Sequence, residues 1–153
     1  QAFRMPDNRP QFFGEFENVP IDAKGRLIVP ATLRNALPNG VTSIIVTEWF
    51  DGCLSAIDPE GWRRLFDQLR GLSISQVQTR QLVRKMAGRA AEIKLDRQGR
   101  ALIPKKLLNL ANITDHATLT GVVERIEIWN PDRYNDAQNN IDLESVAEEL
   151  EWF

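Results

Sequence analysis

Residues 22–37 read DAKGRLIVPATLRNAL, and residues 96–111 read DRQGRALIPKKLLNLA. At a constant offset of 74 positions, six of the sixteen aligned residues are identical. The identities include the aspartate, the glycine and the arginine of an Asp-x-x-Gly-Arg motif, which therefore occurs twice. Self-similarity at a fixed offset indicates an internal duplication, so the chain is predicted to contain two copies of one small unit.

The similarity continues downstream of the motif. The sequences SIIVTE at 43–48 and ATLTGV at 117–122 each predict a β-strand. Each copy then has an apolar run that ends in Asx-Pro, at 58–59 and 130–131, where the Asx is a good helix N-cap and the proline a tolerated first helical residue. Each unit is therefore predicted as strand, tight turn, strand, short helical turn, two strands and helix. Because such a unit is too small to bury a core alone, we expect the two copies to pack on each other.

Apolar spacing predicts the remaining elements. The strands before the two turns are expected at 16–21 and 91–95, and amphipathic helices at about 62–69, 75–89 and 143–150. Their apolar stripes are expected to be core or subunit contacts rather than ligand sites. The aromatic residues that could supply subunit contacts are Trp49, Phe50, Trp62 and Trp152.

Composition argues against several classes of protein. Cys53 is the single cysteine, which excludes an internal disulfide and a Cys-based zinc site within one chain and fits a reducing cytosol. His116, the single histidine, is expected at a strand edge. The carboxylates of Asp22, Asp96 and Glu92 have turn or strand explanations, and no nucleophile–base set is recognisable. We therefore predict a protein that is not an enzyme and needs no metal or cofactor. No apolar run is long enough for a membrane span, and no secretory h-region is recognisable near the first residue.

The net charge of −2 is unevenly distributed. All 19 Lys and Arg residues and 15 of the 21 acidic residues lie within 1–133, whereas 134–153 contains six acidic residues and no basic one. The body is thus mildly basic and the tail acidic. The overall charge does not exclude a nucleic-acid partner.

The Asp-x-x-Gly-Arg motif is suited to a tight turn. An aspartate accepts backbone N–H groups, and a glycine three residues later permits positive φ. We therefore expect Asp22 and Asp96, with Gly25 and Gly99, to shape the turns. The following arginine can pair with the aspartate internally or project outward as a fork of donors.

We favour the outward, DNA-binding role for Arg26 and Arg100. Lys24 and Arg97 add one cation to each turn, and two turns side by side would put four cations on one face. Arginine suits phosphate and the guanine edge, lysine suits phosphate, and a β-ribbon can enter the major groove.

Two longer stretches resemble one known family. The sequence FFGEFENVPIDAKGRLIVPATLRNAL resembles the opening of MraZ proteins, and AAEIKLDRQGRALIPKKLLNLANI resembles their second repeat. The resemblance covers about residues 12–135. It implies an α+β fold in which two tandem AbrB/MazE-like swapped-hairpin units form a pseudo-symmetric β-barrel with flanking helices.

The resemblance also implies a function. MraZ proteins are described as cytoplasmic, nucleoid-associated transcription regulators of the division and cell-wall gene cluster, which bind direct repeats in promoter DNA as rings of about eight or more subunits. It implies DNA contacts by Arg26 with Lys24 and by Arg100 with Arg97. The alternative is an antitoxin-type module that neutralises a partner protein, as MazE-like relatives do.

The basic side of the linker helix is a second place to look for DNA contacts. Arg84, Lys85 and Arg89 are either accessory contacts or part of a solvated face.

The sequence also predicts a domain organisation. The expected segments are a flexible arm at 1–11, a first repeat with its helix at 12–70, a linker helix at 71–90, a second repeat at 91–140 and an acidic helix or tail at 141–153. The operator sequence, the choice between repression and activation, the ring size and the repeat that faces DNA stay open at this point.

Overall fold

The computed structural model describes residues 9–152, and these residues have the predicted α+β fold with two tandem units. The strands of this region are β1 (Phe12–Pro20), β2 (Arg26–Ile28), β3 (Ser43–Glu48), β4 (Leu54–Ile57), β5 (Ala91–Lys94), β6 (Arg100–Leu102), β7 (His116–Val123) and β8 (Ile126–Trp129). Its helices are α1 (Ala31–Asn35), α2 (Pro59–Arg70), α3 (Val77–Gly88), α4 (Lys105–Leu110), α5 (Pro131–Asn139) and α6 (Leu143–Glu149).

The order of the elements repeats. The first unit consists of β1, β2, α1, β3, β4 and α2, and the second consists of β5, β6, α4, β7, β8 and α5. The predicted sequence of elements is thus confirmed in both copies. Helix α3 lies between the units, inside the range predicted for the linker helix, and α6 follows the second unit.

The units exchange their first strands. The six-stranded antiparallel sheet has the order β1-β7-β8-β4-β3-β5, so β1 of the first unit pairs with β7 of the second, and β5 of the second pairs with β3 of the first. Strands β4 and β8 meet in the middle. The order is the same from both ends once equivalent strands are exchanged, which is what a pseudo-two-fold relation between the units requires. Among the described strands, hydrogen bonding leaves β1 and β5 as sheet edges and does not close the sheet.

A second, two-stranded sheet joins β2 to β6, again one strand from each unit. One apolar cluster lies beneath both sheets and draws on both units, from Leu27 and Leu33 in the first to Leu119 and Ile126 in the second. Because the two units share this cluster, neither one has a core of its own. The expectation that the copies pack on each other is confirmed.

The helices α2 and α5 begin as the Asx-Pro pairs predict. The N–H of Gly61 donates to Oδ2 of Asp58 at 3.3 Å, and the N–H of Arg133 donates to Oδ1 of Asn130 at 3.0 Å. A proline occupies the first turn in both helices. These side-chain caps satisfy N–H groups that have no partner within the helix.

Strand β1 is longer than predicted. It begins at Phe12 rather than Phe16, because its pairing with β7 continues as far as Val123. The ladder shifts register between Phe16 and Val19, where an extra residue is accommodated. Gly14 and this irregularity interrupt the apolar alternation, so the sequence pattern identifies only the second half of the strand.

The predicted N-terminal arm, 1–11, lies mostly outside the described residues. Within its described part, Arg9 forms an ion pair with Glu124 at 3.2 Å. The other proposed segment boundaries stay predictions.

Candidate nucleic-acid interface

The two Asp-x-x-Gly-Arg turns have nearly the same geometry. In the first, Oδ1 of Asp22 accepts the backbone N–H groups of Lys24 at 3.0 Å and Arg26 at 2.9 Å. In the second, Oδ1 of Asp96 accepts those of Gln98 and Arg100, both at 2.9 Å. One carboxylate oxygen therefore holds two N–H groups in each turn.

The second carboxylate oxygen of each aspartate binds the arginine side chain. Nε of Arg26 donates to Oδ2 of Asp22 at 2.7 Å, and Nε of Arg100 donates to Oδ2 of Asp96 at 2.6 Å. The backbone and guanidinium hydrogen bonds from Arg26 lower the pKa of Asp22 to about 2, and the equivalent bonds from Arg100 lower that of Asp96. Both carboxylates are therefore ionised at neutral pH.

Each turn also needs its glycine. Gly25 and Gly99 have φ of +95° and +78°, a region that side chains with a Cβ rarely occupy. A Cβ on Gly25 would lie 2.7 Å from the carbonyl oxygen of Ile103, which directly follows β6. The backbones approach here because the N–H of Ile103 donates to the oxygen of Gly25 at 2.9 Å.

Strands β2 and β6 form a ribbon between the two turns. Arg26 lies opposite Leu102, and Ile28 lies opposite Arg100. Directly paired residues and residues two apart point to the same side of a sheet, so these four side chains share one face. Leu27 and its partner on β6 point the other way and are buried. We call the face of Arg26, Ile28, Arg100 and Leu102 the ribbon face.

The arginines of the ribbon face are paired but remain accessible. Their side chains are 37% (Arg26) and 40% (Arg100) exposed. No described residue accepts a hydrogen bond from their terminal Nη groups. The aspartate thus occupies Nε and orients the guanidinium, while the Nη donors have no hydrogen-bond acceptor among the described residues. The internal pairing that the motif allowed is present, and the outward role of the arginines stays a prediction.

Comparison with known proteins gives the family. The family model described as "MraZ protein, putative antitoxin-like" matches twice, at residues 12–85 and 86–151. A protein named transcriptional regulator MraZ from Clostridium beijerinckii is 39% identical over 140 residues, covering 91% of this chain and 96% of the relative. The chain belongs to the MraZ family.

Other relatives support the same assignment. A transcriptional regulator MraZ from Roseiflexus castenholzii is 41% identical over 131 residues, which cover 86% of this chain and 89% of the relative. One from Lactiplantibacillus plantarum is 38% identical over 141 residues, with 91% and 97% covered. The resemblance noted from the sequence is confirmed.

The two turns of this MraZ chain lie at opposite ends of the ribbon rather than side by side. Each packs against the end of the partner strand, because the N–H of Val29 donates to the oxygen of Gly99 at 2.9 Å as Ile103 does to Gly25. Lys24 and Arg97 are exposed, one beyond each end of the ribbon face. The four predicted cations are therefore divided between the two ends of the ribbon, one turn cation and one arginine at each.

The sequence did not identify the aliphatic residues of the ribbon face. Ile28 and Leu102 are each 54% exposed, although the duplication pairs them as equivalent apolar positions that resemble core residues. Strict alternation about the buried Leu27 is the signal that would have found them. Beside them, a groove of about 650 Å³ runs from the end of β1 to Arg26 and Arg100.

The linker-helix candidates are separate from the ribbon. Arg84 and Lys85 are exposed on α3, whereas Arg89 pairs with Glu48 and is partly buried. The structure thus groups Lys24, Arg26, Arg97 and Arg100 around one ribbon and leaves α3 as a second basic surface.

The single histidine and cysteine occupy ordinary structural positions. His116 begins β7 and contacts Asp115 at 3.2 Å, the strand-edge position that was predicted. Cys53 is buried, burial raises its pKa to about 12, and its thiol donates to the oxygen of Phe50.

Within residues 9–152, no cluster of three His, Cys, Asp or Glu side chains has a geometry suited to a metal ion. The same region holds no helix with the length and apolar character that crossing a bilayer requires.

Proposed function

We propose that this chain is a sequence-specific DNA-binding transcription regulator and that the ribbon face is its DNA-reading surface. The observation that carries the proposal is the pair of arginines on one exposed ribbon face, each oriented by an aspartate through Nε. The names of the relatives support the regulatory role.

The ribbon has the form that this role needs. A two-stranded β-ribbon fits the major groove of B-DNA, which is about 12 Å wide. The Nη groups of Arg26 and Arg100 supply donors for the O6 and N7 atoms of guanine or for phosphate oxygens. Lys24 and Arg97, beyond the ribbon ends, suit phosphates on either side of the groove.

The exchange of strands between the units supports a more specific assignment of the fold. We propose that the two units form the swapped-hairpin arrangement of AbrB- and MazE-like domains, a pseudo-symmetric barrel with flanking helices. The β1–β7, β5–β3 and β2–β6 pairings each join one unit to the other, as that arrangement requires.

Affinity is proposed to come from repetition. A net charge of −2 gives the chain no general attraction to DNA, so binding depends on the local field of the ribbon face. A ring of about eight or more subunits on tandem direct repeats would engage several ribbons at once, and linked contacts gain avidity of ~10²–10⁴-fold. In this proposal the protein works in the cytoplasm on the nucleoid, at the promoter of the division and cell-wall gene cluster, without catalysis or a cofactor.

The surface of α3 is a secondary candidate for DNA contact. Arg84 and Lys85 carry charge there with no carboxylate partner among the described residues, whereas the pairing of Arg89 with Glu48 leaves it less able to bind phosphate.

The decisive experiment is a mobility-shift titration on a fragment from upstream of the chain's own gene. The double variant Arg26→Ala/Arg100→Ala is expected to lose ~1–3 kcal/mol for each guanine contact that is removed. Arg63→Ala is the matched control, because this arginine is exposed on α2 away from the ribbon. If the double variant bound like the wild type, the ribbon face would not be the DNA surface.

The second candidate function is that of an antitoxin-type partner. The family description includes "antitoxin-like", and the acidic C-terminal segment resembles the part of MazE-like proteins that binds a toxin. A pull-down that recovers one stoichiometric protein partner, together with no shift of promoter DNA, would favour this function over regulation.

A further inference from the structure

Helix α6 has an apolar stripe that stays largely exposed in the described part of the chain. Leu143, Val146 and Leu150 recur at i, i+3 and i+7 and therefore share one side of the helix. Leu143 is 80% exposed and Leu150 73% exposed, whereas Ala147 beside them is buried. An amphipathic helix normally turns its apolar side toward a protein surface. We call Leu143, Val146 and Leu150 the α6 stripe.

A second uncovered apolar surface lies at the corner between α2 and α3. Leu72, Ile74 and Val77 are exposed there, with Ile74 at 79%. Nη1 of Arg80 donates to the carbonyl oxygens of Ile74 and Ser75 at 3.0 and 3.1 Å, which fixes the shape of the corner. We call Leu72, Ile74 and Val77 the α2–α3 corner.

The two surfaces carry opposite charge. The segment 59–90, which contains α2 and α3, has seven basic and two acidic residues, whereas 134–153 has six acidic residues and no basic one. Val77, Arg80 and Arg84 share one side of α3 by their spacing, so cations lie next to the corner. On α6, Glu144 and Glu148 flank the stripe.

We propose that the α6 stripe of one copy docks on the α2–α3 corner of a second copy. The apolar sets cover each other, and the acidic flank of α6 faces the basic side of α3. Both surfaces stay exposed within one chain, so a second copy is the occupant that offers both complements. In this arrangement Arg84 lies at the contact between copies, which leaves Lys85 as the secondary candidate for DNA contact on α3.

The contact is heterologous, because different surfaces of the two copies meet. Repeating such a contact gives a ring when the rotation closes and a filament when it does not. Helix α6 has seven residues and is therefore ~10 Å long, so one contact covers less than the ~800 Å² per partner of a typical stable interface. In a closed ring each copy contributes its α6 stripe to one neighbour and its α2–α3 corner to the other. Every copy then makes two contacts, which stabilises the assembly. This inference rests on the proposed self-association but not on the proposed DNA binding.

The test uses two variants of the full chain, measured without DNA by light scattering after size-exclusion chromatography. The donor variant is Leu143→Ser/Leu150→Ser, and the receiver variant is Ile74→Ser/Val77→Ser. Each is expected to fall from the wild-type mass to that of one chain, with an unchanged circular dichroism spectrum, because the substituted side chains are exposed. Phe13→Ser, which removes an equally exposed apolar group from β1, should keep the wild-type mass.

Mixing the two variants gives the sharper result. The donor variant keeps an intact corner and the receiver variant an intact stripe, so a pair of chains in the mixture can make one stripe–corner contact and cannot close a ring. Because one contact is small, the pair should associate weakly: in sedimentation at rising concentration the equimolar mixture should approach the mass of two chains and never exceed it. The inference is overturned if the donor variant keeps the wild-type mass, if the mixture at the highest concentration has the same mass as each variant alone, or if the wild type itself is a single chain. The DNA titration of the ribbon variants is read separately, so the two proposals fail independently.

Discussion

The two turns keep the same shape with different neighbours. At the offset of 74, aspartate, glycine and arginine are retained, but Ala23 of the first turn corresponds to Arg97 and Lys24 corresponds to Gln98. The extra cation has moved by one position between the copies. The retained aspartate, glycine and arginine are the residues that shape the turn: the aspartate accepts backbone and guanidinium hydrogen bonds, and the glycine adopts positive φ. The turn geometry is therefore the same in both copies, whereas the position of the extra cation differs.

The support behind the turns differs as well. The second turn is held by Arg34, whose Nη1 donates to the oxygen of Gln98 at 2.9 Å. The equivalent residue in the other unit is Leu108, which lies beside Gly25 as an apolar contact. The flexible, charged side chain of Arg34 therefore packs against the second turn. The first turn instead packs against backbone atoms of Ile103 and the aliphatic side chain of Leu108. The first turn is therefore expected to tolerate less change.

The largest expected effect comes from substituting the two glycines. Gly25→Ala forces a positive φ on alanine and brings its Cβ to 2.7 Å from a backbone oxygen, so we expect a loss of about 3 kcal/mol in the free energy of unfolding. Gly99→Ala has the same strain, but its Cβ would meet the far end of Arg34, which can move. We expect a loss of about 1–2 kcal/mol. Urea unfolding at equal protein concentration measures both, and equal losses would contradict the difference in support.

The next effect concerns the two arginines of the ribbon face. Because the ribbon presents them as equivalents, Arg26→Ala and Arg100→Ala are each expected to cost about 1–3 kcal/mol of specific DNA binding. Arg26→Lys should lose nearly as much, since lysine keeps the charge but has neither Nε nor the fork. Titration of promoter DNA against a scrambled fragment checks this. A defect in one variant only would mean that one unit alone faces DNA.

A smaller effect is expected at Arg34. Arg34→Met removes the hydrogen bond to Gln98 and is expected to cost about 1 kcal/mol of stability. It also clears the space beside Gly99, so Gly99→Ala should cost less in the Arg34→Met background than alone. Gly25→Ala in that background is the matched control and should cost the same as before. Additive effects of Arg34→Met and Gly99→Ala would show that Arg34 does not crowd that position.

The sequence was sufficient for the parts of the fold that depend on local chemistry. The turns follow from Asp22 and Gly25 and their equivalents, because carboxylate–amide hydrogen bonds and positive φ are local properties. The starts of α2 and α5 follow from Asp58 and Asn130 for the same reason. The duplication itself required only a comparison of the chain with itself.

The parts that depend on distant partners could not be predicted. Apolar alternation specifies which face of a strand is buried but not which strand pairs with it, so the pairing of β1 with β7 was invisible. Ile28 and Leu102 resemble core residues until their strands are known to pair at the surface. Arg34 reaches a turn 64 residues away, and nothing in its local sequence indicates this.

The smallest expected effect is on acid stability. Asp22 has a pKa of about 2 in the fold against 3.8 ordinarily, and the pKa of Asp96 is lowered by the equivalent hydrogen bonds from Arg100. A lowered folded-state pKa contributes stability that is complete above pH 3.8 and is lost as the pH falls toward 2. Both carboxylates are exposed, so solvent screens the contribution.

Asn at these positions keeps an oxygen for the backbone N–H groups but cannot ionise. Asp22→Asn should therefore make stability less dependent on pH between about 4 and 2, and Asp96→Asn should act in the same direction. Urea midpoints across that range measure the slopes, with Asp67→Asn on α2 as the same substitution at an exposed aspartate away from the turns. If Asp22→Asn and the wild type gave parallel curves, the charge of Asp22 would add nothing to the turn, and its backbone hydrogen bonds alone would account for the shape that the two copies share.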